Sequence, residues 1–116
     1  MASLNMQGPF PLRDELVDEK VSVEAPGVFA LGYLEGIDFV VLYIGRAEED
    51  LSKEIKSWVR RHEKYKVFKF CYAVSAHAAF ERQCKNFHEF GGNAQLHNSE
   101  HPVPAAGVAW PCPFCT

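Results

Sequence analysis

The sequence predicts an α+β domain in which a small three-stranded antiparallel sheet is flanked by helices. Three observations predict this class: a hairpin pattern over residues 27–45, helical apolar periodicity over 50–62 and 76–90, and strand-like alternation over 66–74. With 116 residues, the chain is long enough for one such domain with one core. Irregular segments are expected before and after this domain.

Composition changes along the chain suggest three parts. We expect a lead-in over residues 1–25, a central domain over 26–102, and a tail over 103–116 that packs on the domain or extends from it. The lead-in is rich in prolines and acidic residues, and one short helix or edge strand is expected within it, near 16–23. The tail is punctuated by prolines and contains two cysteines.

Two alternating apolar runs around a glycine predict the hairpin. The first run covers residues 28–33 and the second covers 39–44. Residues 34–38 form the turn, in which Gly36 is free to take a positive φ. An acidic run at 48–50 then opens the first helix.

Each predicted helix has one apolar face. In the first helix, the apolar face is formed by Leu51, Ile55, Trp58, Val59 and His62. Ser75 caps the second helix, and Gly91-Gly92 terminates it. Four residues of the second helix fall within an arc of about 60° and could surround a metal ion or a scissile phosphate: His77, Glu81, Cys84 and His88.

Basic residues are concentrated in one segment of a chain whose net charge is −3. Residues 53–69 hold seven of the twelve basic residues against Glu54 and Glu63, a net charge of +5. The overall charge argues against strong bulk attraction to nucleic acid, whereas the local patch is compatible with phosphate contacts. An ordinary solvated helix face is the alternative. The candidate substrate-binding residues are Lys53, Lys56 and Arg60.

The distribution of apolar residues and cysteines bears on the location of the protein. No run of 18 or more apolar residues is present, so neither a transmembrane helix nor a membrane partner is expected. No signal peptide is recognisable at the N-terminus. Four cysteines, two of them on a predicted apolar strand and a predicted helix, fit a reducing compartment. The sequence therefore predicts a cytoplasmic protein, without indicating its oligomeric state.

The segment from Pro26 to Pro102 resembles a GIY-YIG nuclease domain. The residues that carry the resemblance are Gly27-Val28-Phe29, Tyr43-Ile44-Gly45-Arg46, Asp50-Leu51, Glu81 and Asn98. They occur in the expected order and fall on the expected predicted elements. The resemblance implies a small three-stranded sheet with flanking helices and metal-dependent hydrolysis of phosphodiesters in nucleic acid.

The resemblance also implies a role for each matching residue. Glu81 would bind Mg²⁺ or Mn²⁺, which neutralises the charge that develops on the phosphate. Tyr43 would act as general base or proton shuttle, and Arg46 would contact the phosphate. Asn98 and His88 would support the reaction by hydrogen bonding and proton transfer. For Asn98, an Asx-turn is the structural alternative.

Two positions depart from the family pattern. Phe29 stands where the family has its first tyrosine, and Glu54 stands where a helix arginine is expected. A carboxylate at that place repels phosphate or helps to bind metal, and Arg46, Lys53 or Lys56 would have to replace the arginine. Two functions therefore remain open. One is a metal-dependent endonuclease with weakened or lost activity, and the other is a non-catalytic module that binds nucleic acid or protein.

The tail contains a separate pattern. Cys112-Pro113-Phe114-Cys115 has the cysteine spacing of a zinc knuckle, which needs two further ligands. Cys84 and His88 lie four residues apart on the second helix and would complete the site if the tail folds back. His97 and His101 are alternatives. This predicts a structural Zn²⁺ site that is independent of either function of the domain.

Overall fold

A four-stranded antiparallel sheet forms the centre of the protein. The computed structural model of the chain describes residues 4–98 and 100–114. The strands, in chain order, are β1 (Gln7–Pro11), β2 (Gly27–Glu35), β3 (Asp38–Ala47) and β4 (Val67–Tyr72). In space they lie in the order β1-β4-β2-β3, and each neighbouring pair is antiparallel. With three helices, this sheet confirms the predicted α+β class.

Strand β1 was not predicted, so the predicted count of three strands is one short. Pro9 and Pro11 lack the backbone donors of a central strand, and β1 accordingly lies at the edge of the sheet beside β4. Phe10 lies opposite Phe68 and packs on its ring, with the ring centroids 5.7 Å apart. Helix α1 (Asp14–Lys20) follows β1. The segment predicted as an irregular lead-in thus contributes both a strand and a helix.

The predicted hairpin is confirmed as β2 and β3. Gly36 lies in its turn with φ of +65°, a conformation that costs glycine little. Phe29 lies opposite Gly45, and a Cβ added at Gly45 would stand 2.4 Å from the Phe29 ring. Glycine at this position therefore allows the rings of Phe29 and Tyr43 to lie side by side, with centroids 6.2 Å apart.

The first predicted helix is shorter than expected. Helix α2 (Leu51–Lys56) begins where the side chain of Asp50 accepts a hydrogen bond from the backbone N–H of Lys53. It ends six residues before the predicted end at His62, because the backbone N–H groups of Trp58 and Val59 donate three residues back instead of four. Arg60 then adopts φ of +65°. Trp58 and Val59, which follow the helix, therefore lie in a turn and still pack on the core.

Helix α3 (Ala76–Glu89) agrees with the predicted bounds of the second helix. The Ser75 side chain accepts a hydrogen bond from the backbone N–H of Ala78 at 3.0 Å, as expected of an N-cap. Gly91 follows the helix with φ of +92°. None of the helices in the described part of the chain is long and apolar enough to cross a membrane.

Both faces of the sheet are covered. The face towards α1 and α2 is filled by buried residues that include Val17, Phe29, Leu51, Ile55, Phe68 and Phe70. The face towards α3 is filled by residues that include Leu4, Val28, Ala30, Ile44, Ala79 and Phe87. Because side chains alternate along a strand, β3 directs Tyr43 towards the α2 side and Ile44 towards the α3 side.

Candidate metal centre and adjoining cleft

Four metal-ligating side chains meet where α3 contacts the C-terminal segment, and these are termed the metal cluster. Helix α3 supplies Cys84 and His88, and the segment 100–114 supplies His101 and Cys112. The ligand atoms of Cys84, His101 and Cys112 all lie within 4.8 Å of one another. Nε2 of His88 lies 3.2 Å from Nε2 of His101 and 3.5 Å from Sγ of Cys112. Cys84, His101 and Cys112 could hold a metal ion, and His88 lies beside two of them.

His101 is oriented for ligation by its other ring nitrogen. Its Nδ1 lies 2.6 Å from the backbone carbonyl oxygen of Pro102. Because a carbonyl only accepts hydrogen bonds, Nδ1 carries the proton and a neutral ring presents the Nε2 lone pair to the cluster. Cys84 is completely buried on α3. The cluster therefore combines a fixed thiol with an imidazole in the tautomer that ligation requires.

The predicted zinc ligands are mostly brought together. Three of the four lie in the metal cluster: Cys84, His88 and Cys112. Cys115 lies outside the described residues. Of the two alternatives, His101 belongs to the cluster, whereas His97 lies against Tyr65 on another part of the surface.

The C-terminal segment also touches α3 at a second point. The Trp110 ring stacks on the His77 ring, with centroids 4.7 Å apart and planes 12° from parallel, and it contacts Phe80. This contact places Cys112 near α3 without any metal. The sequence predicted that the tail packs on the domain or extends from it, and these contacts correspond to packing.

A cleft of about 210 Å³ adjoins the metal cluster and is termed the central cleft. Three predicted catalytic residues line it, namely Tyr43, Arg46 and Asn98. The other lining residues are Gln83, Glu100, His101, Pro102 and Val103. The structure thus brings together three of the five predicted catalytic residues and adds the polar side chains of Gln83 and Glu100.

Asn98 uses its side-chain amide on the backbone of β3. Its Oδ1 accepts a hydrogen bond from the Ile44 N–H at 3.0 Å, and its Nδ2 donates to the Ile44 carbonyl at 2.7 Å. The neighbouring His97 N–H donates to the Leu42 carbonyl at 2.6 Å. Residues 97 and 98 therefore pair with the outer edge of β3 as an additional strand would, and the Asn98 amide is committed to this contact.

Arg46 is held by groups inside the protein. Its Nη1 donates to Oε1 of Gln83 at 2.7 Å, and its Nη2 donates to the Val103 carbonyl. The guanidinium also lies 5.1 Å from the centroid of the Phe80 ring, and Glu48 stands 3.8 Å away. Arg46 therefore joins β3, α3 and the C-terminal segment, which restricts its freedom to contact a phosphate.

Gln83 of α3 lines the central cleft and was not predicted as a site residue from the sequence. It is 7% exposed, and its Nε2 donates to the Ile44 carbonyl at 3.2 Å while its Oε1 accepts from Arg46. The available sequence indication was a polar residue on the apolar face, between Phe80 and Phe87. A buried polar residue in such a place needs a partner, and Arg46 is that partner.

Glu81 and His88 do not join the central cleft. Glu81 lies two residues from Gln83, about 200° around the helix, and its carboxylate stands 3.6 Å from His77 Nε2. It is not among the residues of the described chain that line the cleft. His88 belongs to the metal cluster. The structure therefore does not place the predicted Mg²⁺ or Mn²⁺ ligand beside Tyr43.

Tyr43 lies between the central cleft and a group of aromatic rings. Its ring packs on Trp58 with centroids 4.3 Å apart, and Trp58 Nε1 donates to the Glu54 carboxylate at 3.3 Å. Burial raises the pKa of the Tyr43 hydroxyl above its ordinary value, and the Glu54 charge raises it further. A raised pKa disfavours the tyrosinate that a general base would provide.

Two histidines flank Tyr65 on the surface next to Tyr43. The Tyr65 hydroxyl lies 3.0 Å from Nδ1 of His97, and the His62 ring lies 4.9 Å from the Tyr65 ring and 5.1 Å from the His97 ring. Desolvation lowers the pKa of His97, and the neighbouring His62 and Lys64 lower it further. The lowered pKa favours the uncharged form of His97 at neutral pH.

The predicted substrate-binding residues occupy separate places. Lys53 shares a cleft with the acidic run at 48–50, and Lys56 forms an ion pair with Asp18 at 2.8 Å. Arg60 lies beside a surface formed by residues 12–15, which includes two carboxylates. The segment 53–69 is therefore not one basic face. Its cations that lie next to Tyr65 and the two histidines are Arg61 and Lys64.

No protein-family model, curated protein or solved structure matches this chain. Its function has to be inferred from the residues and contacts described above.

Proposed function

We propose that the metal cluster binds one Zn²⁺ ion, which fastens the C-terminal segment to helix α3. The observation that carries this proposal is the group Cys84, His101 and Cys112, whose ligand atoms lie within 4.8 Å of one another. His88, 3.2 Å from His101 and 3.5 Å from Cys112, is proposed as the fourth ligand. Two thiolates and two imidazoles are a usual ligand set of structural zinc. Because four protein ligands fill a tetrahedral ion, the proposed role is structural, with no coordination position for substrate.

The distances between the ligand atoms support zinc. Tetrahedral Zn–N bonds of about 2.05 Å and Zn–S bonds of about 2.3 Å separate two nitrogens by about 3.3 Å, and a nitrogen and a sulfur by about 3.6 Å. The corresponding distances are 3.2 Å between the two imidazoles and 3.5 Å between His88 and Cys112. Mg²⁺ and Mn²⁺ favour oxygen ligands, which this cluster does not offer.

We expect the zinc content of two variants to show that His101, and not His97, is a zinc ligand. The purified protein should contain about one zinc per chain by elemental analysis, because a four-ligand site of this type binds tightly. His101→Gln should lower the zinc content several-fold. His97→Gln, the same change at a histidine outside the cluster, should leave it unchanged. Wild-type protein that remains free of metal after exposure to zinc would contradict the proposal, as would equal zinc loss in both variants.

We further propose that the protein binds nucleic acid without hydrolysing it through the residues that the GIY-YIG resemblance implies. Two contacts support the absence of hydrolysis: Arg46 is bound to Gln83, and the Asn98 amide is bound to Ile44. Glu81 also supports it, because it is not among the described residues that line the central cleft. Nucleic-acid binding is supported by Arg61, Lys64 and Lys66, exposed cations that lie near aromatic rings and histidines.

A cleavage and binding assay tests this second proposal. Branched, single-stranded and duplex DNA with Mg²⁺ or Mn²⁺ should yield no more cleavage by the wild-type protein than by Glu81→Ala. At low salt the same mixtures should contain a shifted protein–DNA band, because contacts to phosphate weaken as salt rises. Cleavage that Glu81→Ala abolishes would instead establish a metal-dependent hydrolase. Absence of binding to all three substrates would overturn the nucleic-acid proposal.

A further inference from the structure

A cavity of about 650 Å³ opens near the end of β2 and the start of β4. The residues that form its wall are Tyr33, Leu34, Lys64, Lys66 and Val67. This wall combines one aromatic ring and apolar side chains with two ammonium groups. No carboxylate is among the lining residues of the described chain, so the charged groups of the wall itself are the two ammonium groups.

Lys64 connects the cavity to the two histidines. Its backbone N–H donates to Nδ1 of His62 at 3.1 Å, which leaves the proton of a neutral His62 on Nε2. The His62 ring lies 5.1 Å from the His97 ring, and both side chains are exposed. Arg61, the preceding residue, lies over the Trp58 ring at 4.2 Å. The basic–aromatic strip is defined as Tyr33, Lys66, Lys64, His62, His97 and Arg61.

The chemistry of the strip matches single-stranded nucleic acid. The cavity is large enough for a nucleobase, and an aromatic ring offers any base a stacking surface. Ammonium, guanidinium and imidazole N–H groups suit the phosphates on either side of that base. In a duplex the bases are stacked within the helix and only their edges are accessible, so a duplex could not insert a base beside Tyr33.

We propose that the basic–aromatic strip binds single-stranded nucleic acid, with a base stacked on Tyr33 and phosphates contacted by Lys64 and Lys66. This inference rests on the proposed nucleic-acid binding and specifies its surface and substrate class. The predicted substrate-binding residue Lys53 has no part in it, because acidic residues 48–50 line the cleft beside Lys53.

Fluorescence anisotropy with a short labelled oligothymidylate tests the strip. Lys64→Ala should weaken binding about fivefold and reduce the slope of log affinity against log salt by about 0.7, the loss of one phosphate contact on a single strand. Tyr33→Leu should weaken binding about tenfold with little change in slope, because stacking is lost and charge is not. Lys53→Ala, which removes the same charge from the same segment, should change binding less than about twofold. Thermal melts would verify that each variant is folded.

The outcomes of this experiment distinguish the proposed binding surface from the proposal that the protein binds nucleic acid at all. Weakening by Lys64→Ala and Tyr33→Leu but not by Lys53→Ala supports the strip. If neither Lys64→Ala nor Tyr33→Leu weakens binding, the strip is not the binding surface. The same holds if Lys53→Ala weakens binding as much as they do. In both cases the proposal that the protein binds nucleic acid would stand. A duplex that competes as well as the single strand overturns the substrate class. No binding to any oligonucleotide overturns the strip together with the nucleic-acid proposal.

Discussion

Replacing Cys112 with serine is expected to lower the melting temperature by about 15 °C in excess zinc. If the metal cluster binds zinc as proposed, free zinc at a thousand times its dissociation constant stabilises the folded chain by about 4 kcal/mol. For a domain of this size, 1 kcal/mol corresponds to about 4 °C. The hydroxyl of serine is a poor replacement for a thiolate ligand, so most of this stabilisation should be lost.

The matched control for this substitution is Cys71→Ser. Cys71 lies on β4, half-buried and outside the metal cluster. The quantity to compare is the fall in melting temperature when a chelator is added, since this cancels any direct effect of serine on packing. The fall should be large in the wild type and in Cys71→Ser, and small in Cys112→Ser. A wild-type melting temperature that a chelator leaves unchanged would argue against a structural metal.

Asn98→Ala is expected to reduce the free energy of unfolding by about 3 kcal/mol. The change removes two hydrogen bonds to Ile44 and leaves the buried Ile44 N–H without its amide partner. The carbonyl of Ile44 keeps a bond from Gln83, which limits the loss. If Asn98 mainly assisted catalysis from the cleft, the same truncation would cost much less stability.

Denaturant titration measures this effect, with Gln95→Ala as the control. Gln95 is an exposed amide three residues earlier, so its truncation should cost less than about 0.5 kcal/mol. Asn98→Asp should cost at least as much as Asn98→Ala, because it places a charged oxygen against the Ile44 carbonyl, which also only accepts hydrogen bonds. Equal stability of Asn98→Ala and Gln95→Ala would remove the structural role assigned to Asn98.

Local sequence patterns predicted the parts of the fold that local interactions determine. The hairpin turn depends on Gly36, and helix α3 depends on the Ser75 cap and a regular apolar period, so both are recognisable without the rest of the chain. Strand β1 depends on its pairing with β4, which is distant in sequence, and its two prolines argue against a strand in the sequence alone. Helix α2 ends in a tightened turn at residues 57–59, which no glycine or proline marks in the sequence.

In the candidate sites too, the local features could be predicted from the sequence, and the features that depend on distant contacts could not. Cys84 and His88 could be paired in advance, because a spacing of four residues places them one helical turn apart. The choice of His101 over His97 depends on the path of an irregular segment, which no periodicity determines. The resemblance to GIY-YIG domains gave the order of Tyr43, Glu81 and Asn98 along the chain. It could not determine which residue of α3 faces the cleft, and Gln83 occupies that position.

Residues 97 and 98 also cover part of the outer edge of β3. A bare strand edge can recruit another chain, and without residues 97 and 98 the Leu42 carbonyl and the Ile44 N–H at the edge of β3 would lack these partners. The backbone of His97 and the amide of Asn98 occupy these groups. At the opposite end, prolines 9 and 11 cannot donate to an incoming strand. Residues 97 and 98 therefore cover part of one sheet edge against an incoming strand, at Leu42 and Ile44 of β3.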